Sequence, residues 1–130
     1  MKKLIYTLFI LLLLTGCSDK IKLGGKVTFP DGEPLGVGMI FFSKDDYLAR
    51  ANLKPDGTYD VGSLGEKDGL PPGTYKVHIS GALEVITDPK NPEQEDWRSL
   101  IAMQFTSLET TPLTVTVPGE KVYNIVVERP

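Results

Sequence analysis

The feature that most limits the fold of this chain is a series of short alternating runs separated by turn signals, beginning near residue 24. Pro30-Asp31-Gly32 and Pro55-Asp56-Gly57 are the clearest of these signals, because proline fixes φ at the first corner and glycine accepts a positive φ after it. The 130 residues include 13 glycines and 10 prolines, more than average usage gives. This spacing predicts an all-β domain.

Seven of the runs have the alternation of strands. In the fifth, Tyr75, Val77 and Ile79 share one face, which we expect to point inward, and His78 lies on the other. Residues 118–121 (PGEK) join the last two runs and predict a closing hairpin. One dominant apolar face per strand predicts a seven-stranded antiparallel β-sandwich. The predicted strands are residues 25–29, 35–43, 47–53, 58–61, 74–80, 113–117 and 122–127.

Residues 81–112 depart from this rhythm and form an insertion before the last two strands. Residues 88–96 are polar and broken by prolines, so we expect an exposed loop there. Residues 97–105 have apolar positions at helical spacing, which predicts one or two helical turns. The expected architecture is therefore a sandwich with a long loop and a short helical segment in this insertion.

The N-terminus has the pattern of an export signal. A basic start (MKK) is followed by an apolar run over residues 4–14, which is shorter than the roughly 20 residues that a bilayer span needs. Leu14-Thr15-Gly16-Cys17 comes next and resembles the bacterial lipobox. That resemblance implies cleavage before Cys17 and a lipid on its thiol, with buried acyl chains holding the protein at a membrane. The predicted organisation is a signal peptide (1–16), a lipidated tether (17–23) and a β-sandwich domain (24–130).

The position of the cysteine supports lipidation. Cys17 is the only cysteine of the chain, so no intramolecular disulfide can form. The alternative is an ordinary cleaved signal with a chance cysteine at its boundary. Ser18, where an aspartate would favour inner-membrane retention in Gram-negative bacteria, favours the outer membrane. Asp19 and the differences between bacterial groups leave the leaflet open.

Four segments, in the same order, resemble bacterial carboxypeptidase regulatory-like domains. They are residues 25–35 (GKVTFPDGEPL), 54–59 (KPDGTY), 70–77 (LPPGTYKV) and 109–115 (ETTPLTV). The resemblance implies a prealbumin-like, or transthyretin-like, sandwich that acts as a non-catalytic module. Residues 101–105 depart from the pattern, with Ala102 and Gln104 where short lipoproteins of this group have proline and lysine.

Composition and motifs argue against several functions. His78 is the sole histidine, and no G-x-S-x-G nucleophile motif is present, so we expect a solvated strand histidine and no catalytic residue. The histidines and the Tyr-Arg-Gly-Ser ending of transthyretin-related hydroxyisourate hydrolases are also missing. The net charge is −3 and the basic residues are scattered, which argues against a nucleic-acid partner.

Two acidic clusters could hold calcium, Asp45-Asp46 and the group Glu93, Glu95 and Asp96. Neither follows an EF-hand pattern, and acidic loop residues are usually just solvated. We therefore expect no metal and no cofactor.

Trp97, Arg98 and Phe105 are the candidate residues for binding a ligand or partner, because exposed aromatics bind sugar faces and anchor protein interfaces. The competing interpretation is that Trp97 packs over the end of the core beside Leu100 and Ile101. The first hypothesis is a lipid-anchored envelope protein whose sandwich is an interaction or structural module for another envelope protein. The alternative is a glycan- or peptide-binding surface lipoprotein that uses the Trp97 loop.

Overall fold

The computed structural model describes residues 20–45, 47–61, 69–119 and 121–130, and within them the chain is all-β. Nine strands and one short 3₁₀ turn are present in these residues. They are β1 (Leu23–Thr28), β2 (Met39–Lys44), β3 (Tyr47–Asn52), β4 (Thr58–Val61), β5 (Gly73–Ser80), β6 (Leu83–Asp88), β7 (Asn91–Ser99), the 3₁₀ turn (Met103–Thr106), β8 (Leu113–Val117) and β9 (Ile125–Val126).

The strands form two sheets that face each other and a separate hairpin. One sheet has the order β4-β1-β9, the other β3-β2-β5-β8, and β6 pairs only with β7. Seven strands therefore build the sandwich, at the places where the sequence predicts them, and the β-sandwich prediction is confirmed. Pairing is antiparallel except between β1 and β9, which run parallel with Val27 opposite Ile125.

The core lies between the two sheets and follows the alternation of the strands. Tyr75, Val77 and Ile79 of β5 are fully buried, as predicted. In β2 the buried residues are Ile40 and Phe42. The largest fully buried side chains are Tyr59, Tyr75, Phe42, Leu35, Ile40, Leu70, Ile79, Ile101 and Ile125.

The turn at residues 54–57 has the predicted chemistry. Gly57 has a φ of 85° and donates its N–H to the carbonyl of Lys54 at 2.8 Å. The Asp56 carboxylate accepts hydrogen bonds from the backbone N–H and the hydroxyl of Thr58, which holds the pKa of Asp56 below its usual value. Local side-chain bonding of this kind favours the turn over a continued strand.

The predicted hairpin between the last two strands is wrong. β8 pairs with β5, whereas β9 pairs with β1 in the opposite sheet. Pro118 has no N–H to donate to a ladder, and the segment after it crosses to β1. There the Tyr123 N–H donates to the Gly24 carbonyl at 2.8 Å.

The segment 88–96 is exposed, as predicted, but the prediction that it is a loop is wrong, because it belongs to the β6-β7 hairpin. Val85, Ile86 and Thr87 are β-branched and favour a strand, and β7 pairs with them from Trp97 to Glu95. The Asp88 side chain accepts a hydrogen bond from the Lys90 N–H at 2.9 Å, which closes the tip. Of the helical turns predicted over residues 97–105, the structure has only the 3₁₀ turn at Met103–Thr106. Trp97 lies in β7 instead.

Candidate functional site

The sandwich has two ends, and the N-terminal segment enters at one of them. Ile21 exchanges two backbone hydrogen bonds with Leu70, at 2.8 and 2.9 Å, just before the start of β5. We call this end the anchor end, because Cys17 precedes it by only a few residues. Cys17 itself lies outside the described residues.

The β6-β7 hairpin extends from the other end. β5 runs from the anchor end towards Ser80, and the hairpin follows after Gly81 and Ala82. Its base is fixed to the core, because the Leu100 N–H donates to the Ala82 carbonyl at 2.9 Å and both Ala82 and Ile101 are buried. We call this the hairpin end.

One face of the hairpin is apolar and exposed. Val85 pairs directly with Trp97, and Leu83 pairs with Ser99 on the same face. The exposed fractions are 40% for Leu83, 44% for Val85 and 63% for Trp97. Cross-strand neighbours are close enough for side-chain contact, so these three form a continuous surface, which we call the apolar face.

The opposite face of the hairpin is charged. Glu84 pairs with Arg98 across the strands and accepts hydrogen bonds from its guanidinium. Ile86 lies beside Asp96 on this face. The hairpin as a whole has five carboxylates against two basic side chains, so it is an acidic projection, and its apolar face is confined to Leu83, Val85 and Trp97 near the base.

The structure does not bring the three predicted binding residues together. Trp97 and Arg98 are neighbours on β7 but point to opposite faces of the hairpin, since side chains alternate along a strand. Phe105 is buried in the core at the 3₁₀ turn. Leu83 and Val85 join Trp97 instead, and the alternating, β-branched run at 83–87 was the sequence signal that could have identified them.

His78 lies on the outer face of β5, as predicted, but is half-buried rather than solvated. Its ring stacks on Phe41 with centroids 5.0 Å apart and 10° between the planes. Burial lowers the pKa of His78, and the negative charge of Glu109 acts in the opposite direction. Its Nδ1 is buried without a hydrogen-bond partner in the described part of the chain.

The two acidic clusters do not converge in the residues that the structure describes. Alternation along β7 places Glu93 and Glu95 on one face of the hairpin and Asp96 on the other. Asp46 lies outside the described residues. Over residues 20–45, 47–61, 69–119 and 121–130, no three His, Cys, Asp or Glu side chains are grouped to hold a metal ion.

A second surface feature is an open groove on the outer face of the β4-β1-β9 sheet, with a volume of about 980 Å³. Gly24 lies in the middle strand and contributes no side chain to its floor. Beneath it, the buried Tyr59 hydroxyl donates to the Tyr123 carbonyl at 2.5 Å, and burial raises the pKa of Tyr59. Three lysines, Lys22, Lys26 and Lys121, line the groove.

Comparison with known proteins identifies the N-terminal signal. The family model described as the prokaryotic membrane lipoprotein lipid attachment site matches residues 1–18, which include Cys17. This match supports a lipid-anchored protein of the bacterial cell envelope. In the part of the chain that the structure describes, no helix has the length and apolarity to cross a bilayer.

The domain itself has a distant structural neighbour. The crystal structure of a DUF3823 family protein from Bacteroides ovatus is similar to this chain with a TM-score of 0.46 and 21% sequence identity. The similarity covers 83% of this chain and 44% of the other, so this chain spans less than half the length of its neighbour. None of the curated proteins matches the chain.

Proposed function

We propose that this lipid-anchored envelope protein is a non-catalytic interaction module whose apolar face binds another envelope protein. The sandwich is the rigid stem, and the hairpin is the binding element at the end away from the anchor. The observation that carries the proposal is the exposure of Leu83, Val85 and Trp97 side by side on a projecting hairpin. Monomers commonly expose single apolar residues, whereas contiguous apolar patches mark interaction sites.

The composition of this face favours a protein partner. Tryptophan is enriched among the residues that contribute most to protein interfaces, and here its cross-strand partner Val85 and the diagonal neighbour Leu83 are aliphatic. A glycan site normally surrounds an aromatic ring with hydrogen-bonding groups, and Ser99 and Glu95 lie on the same face, two positions from Trp97 along β7. The glycan- or peptide-binding alternative rests on the exposed indole of Trp97 together with these two polar neighbours.

The absence of catalysis is part of the proposal. His78, the sole histidine, is occupied by stacking on Phe41. The order of the seven sandwich strands is compatible with the carboxypeptidase regulatory-like, transthyretin-like module that the sequence resembles, and we propose that relationship for the domain. Fold alone assigns no activity.

The test is site-directed photo-crosslinking of the lipidated protein in cells, read by mass spectrometry. The crosslinking residue replaces Thr87, which lies on the apolar face, or Asp96 on the opposite face. We expect one envelope protein to be captured from position 87 only. Trp97→Ala should abolish the capture, and the matched control Ile86→Ala, an exposed apolar residue of the opposite face, should retain it.

Other outcomes would contradict the proposal. Equal capture from both faces, or capture that survives Trp97→Ala, would remove the apolar face as the binding surface. Trp97 is the only tryptophan, so its fluorescence reports directly on the hairpin. A change of this fluorescence with envelope glycans or peptides, together with no protein captured, would favour the alternative.

We also propose the outer membrane as the location, on the ground that Ser18 rather than aspartate follows Cys17. Density-gradient fractionation of the membranes tests this. The wild-type protein should be found with outer-membrane markers and Ser18→Asp with inner-membrane markers. Recovery of both proteins in the inner membrane would contradict the proposal.

A further inference from the structure

The groove on the β4-β1-β9 sheet collects lysines that are far apart in the sequence. Lys26 lies on β1, Lys22 comes directly before that strand, and Lys121 comes from the segment that leads to β9. Backbone contacts fix this segment against β1: the Gly24 N–H donates to the Lys121 carbonyl at 3.3 Å, and the Lys26 N–H donates to the Asn124 side chain at 3.1 Å. The three lysines are thus held around one depression.

The described residues that line the groove have a positive balance of charge. Asp60 is the acidic residue among those that line it, and the Lys54 ammonium lies 3.3 Å from the Asp60 carboxylate. The chain as a whole has a net charge of −3, and five carboxylates belong to the hairpin at the other end. Within the part of the chain that the structure describes, the groove therefore carries positive charge and the hairpin carries negative charge.

The tether places this groove close to the bilayer. Three residues lie between Cys17 and Ile21, so their Cα atoms, four residue steps apart, are at most about 14 Å from each other. Ile21 is already hydrogen-bonded to Leu70, and Lys22 and β1 follow at once. The headgroup layer extends roughly 5–8 Å beyond the hydrocarbon core, so the start of β1 is within reach of it.

We propose that this lysine groove binds the phosphate headgroups of anionic lipids in the bilayer that holds the Cys17 lipid. Lysine ammonium groups bind phosphate as point charges, and basic residues next to a membrane anchor are attracted by an anionic surface. The consequence is orientation: the groove holds the anchor end against the bilayer and directs the acidic hairpin away from it. The proposal requires lipid attachment but does not depend on what the hairpin binds.

The first test is lysine acylation of the lipidated, full-length mature protein in vesicles, read residue by residue by mass spectrometry. Vesicles of phosphatidylcholine alone are compared with vesicles that also contain phosphatidylglycerol. We expect modification of Lys22, Lys26 and Lys121 to slow about fivefold in the anionic vesicles. Lys76 and Lys90, which are exposed elsewhere on the domain, should not change, and high salt should remove the protection.

Three results would overturn the proposal. One is equal modification of the groove lysines in the two kinds of vesicle. Another is equal protection of Lys76 and Lys90, which would indicate a general attraction without a groove. The third is protection by inorganic phosphate in phosphatidylcholine vesicles at concentrations that match the lipid phosphate, which would indicate a site for a soluble anion. Flotation of the vesicles reports lipid attachment separately.

A second test measures the orientation. Energy transfer from Trp97 to a dansyl-labelled headgroup reports how close the hairpin comes to the bilayer. In anionic vesicles we expect low transfer for the wild-type protein and higher transfer for the triple variant Lys22→Gln, Lys26→Gln, Lys121→Gln. The matched control Arg50→Gln, Lys76→Gln, Lys90→Gln removes the same charge elsewhere and should behave as wild type. Equal transfer in the two triple variants, with unchanged circular dichroism, would overturn the proposal.

Discussion

Strands β5 and β6 follow one another with only Gly81 and Ala82 between them, yet their surroundings are opposite. Every second residue of β5 is fully buried, from Tyr75 to Ile79. β6 and its partner β7 contain no buried residue. Both regions are regular, paired β-structure, so pairing alone does not decide burial.

The difference comes from the layer opposite each strand. β5 lies under the β4-β1-β9 sheet, and burying its apolar face contributes most of what such a strand adds to stability. The hairpin has no second layer, so it depends on cross-strand pairs and on its fixed base at Ala82 and Ile101. No other part of the described domain covers its apolar face, so this face is exposed and can contact another molecule.

The largest expected effect compares two apolar truncations, one in each region. Ile79→Ala empties a fully buried site and should lower the free energy of unfolding by about 2–5 kcal/mol. Val85→Ala, on the exposed apolar face, should change it by no more than about 0.5 kcal/mol. Urea denaturation followed by far-ultraviolet circular dichroism measures both. Similar losses in the two variants would show that the hairpin is part of the cooperative core.

The next largest effect comes from comparing alanine substitutions on the two faces of β1. A Cβ at Gly25 would lie 2.0 Å from the Tyr123 carbonyl oxygen, a backbone atom that cannot easily move. A Cβ at Gly24 would face the groove, 2.8 Å from the Asp60 carboxylate, which is a side-chain group, and 3.0 Å from the Tyr59 carbonyl oxygen. Gly25→Ala should therefore cost about 1–3 kcal/mol or more, and Gly24→Ala about 1 kcal/mol or less.

Thermal unfolding of the two glycine variants measures the difference. Equal shifts of the unfolding midpoint temperature in Gly24→Ala and Gly25→Ala would contradict the close packing of β1 against the segment that leads to β9. This packing matters beyond stability, because it positions Lys121 at the lysine groove.

The sequence predicts the sandwich well because its signals are local. Alternation and turn residues identify the seven sandwich strands, and alternation alone identifies the buried face of β5. The sequence does not predict the hairpin, because residues 88–96 have no apolar face of their own. Their strand β7 forms backbone pairs only with β6. The pairing of β1 with β9 joins Val27 to Ile125, a separation that no local pattern reveals.

The candidate sites follow the same rule. Trp97 was identified because an isolated tryptophan in a polar stretch is conspicuous, but its neighbours on the apolar face became clear only from the register of β6 and β7. The lysine groove could not be predicted, since Lys22, Lys26 and Lys121 look like scattered charges in the sequence. Their proximity is a property of the tertiary fold.

The smallest expected effect concerns the outer face of β5, which is half-covered, unlike either face of the hairpin. Thr111 donates its hydroxyl to the Val77 carbonyl, and His78 lies in this region with its pKa lowered by burial. The folded state therefore favours the neutral ring, and the unfolded state binds more protons once the pH falls below about 6.5. Stability should decrease as the pH falls from that value towards the lower pKa of the folded state.

His78→Phe keeps an aromatic ring against Phe41 and removes the titration. Urea midpoints at about pH 7.5 and about pH 5.5 bracket the unperturbed histidine pKa, and the wild-type protein should lose more stability between them than the variant. Glu109, Asp31 and Asp56 do not interfere, because their pKa values are lowered from 4.5, 3.8 and 3.8 and they titrate below this range. An equal loss in the two proteins would mean that folding does not lower the pKa of His78. The ring would then be as exposed to solvent as the side chains of the hairpin.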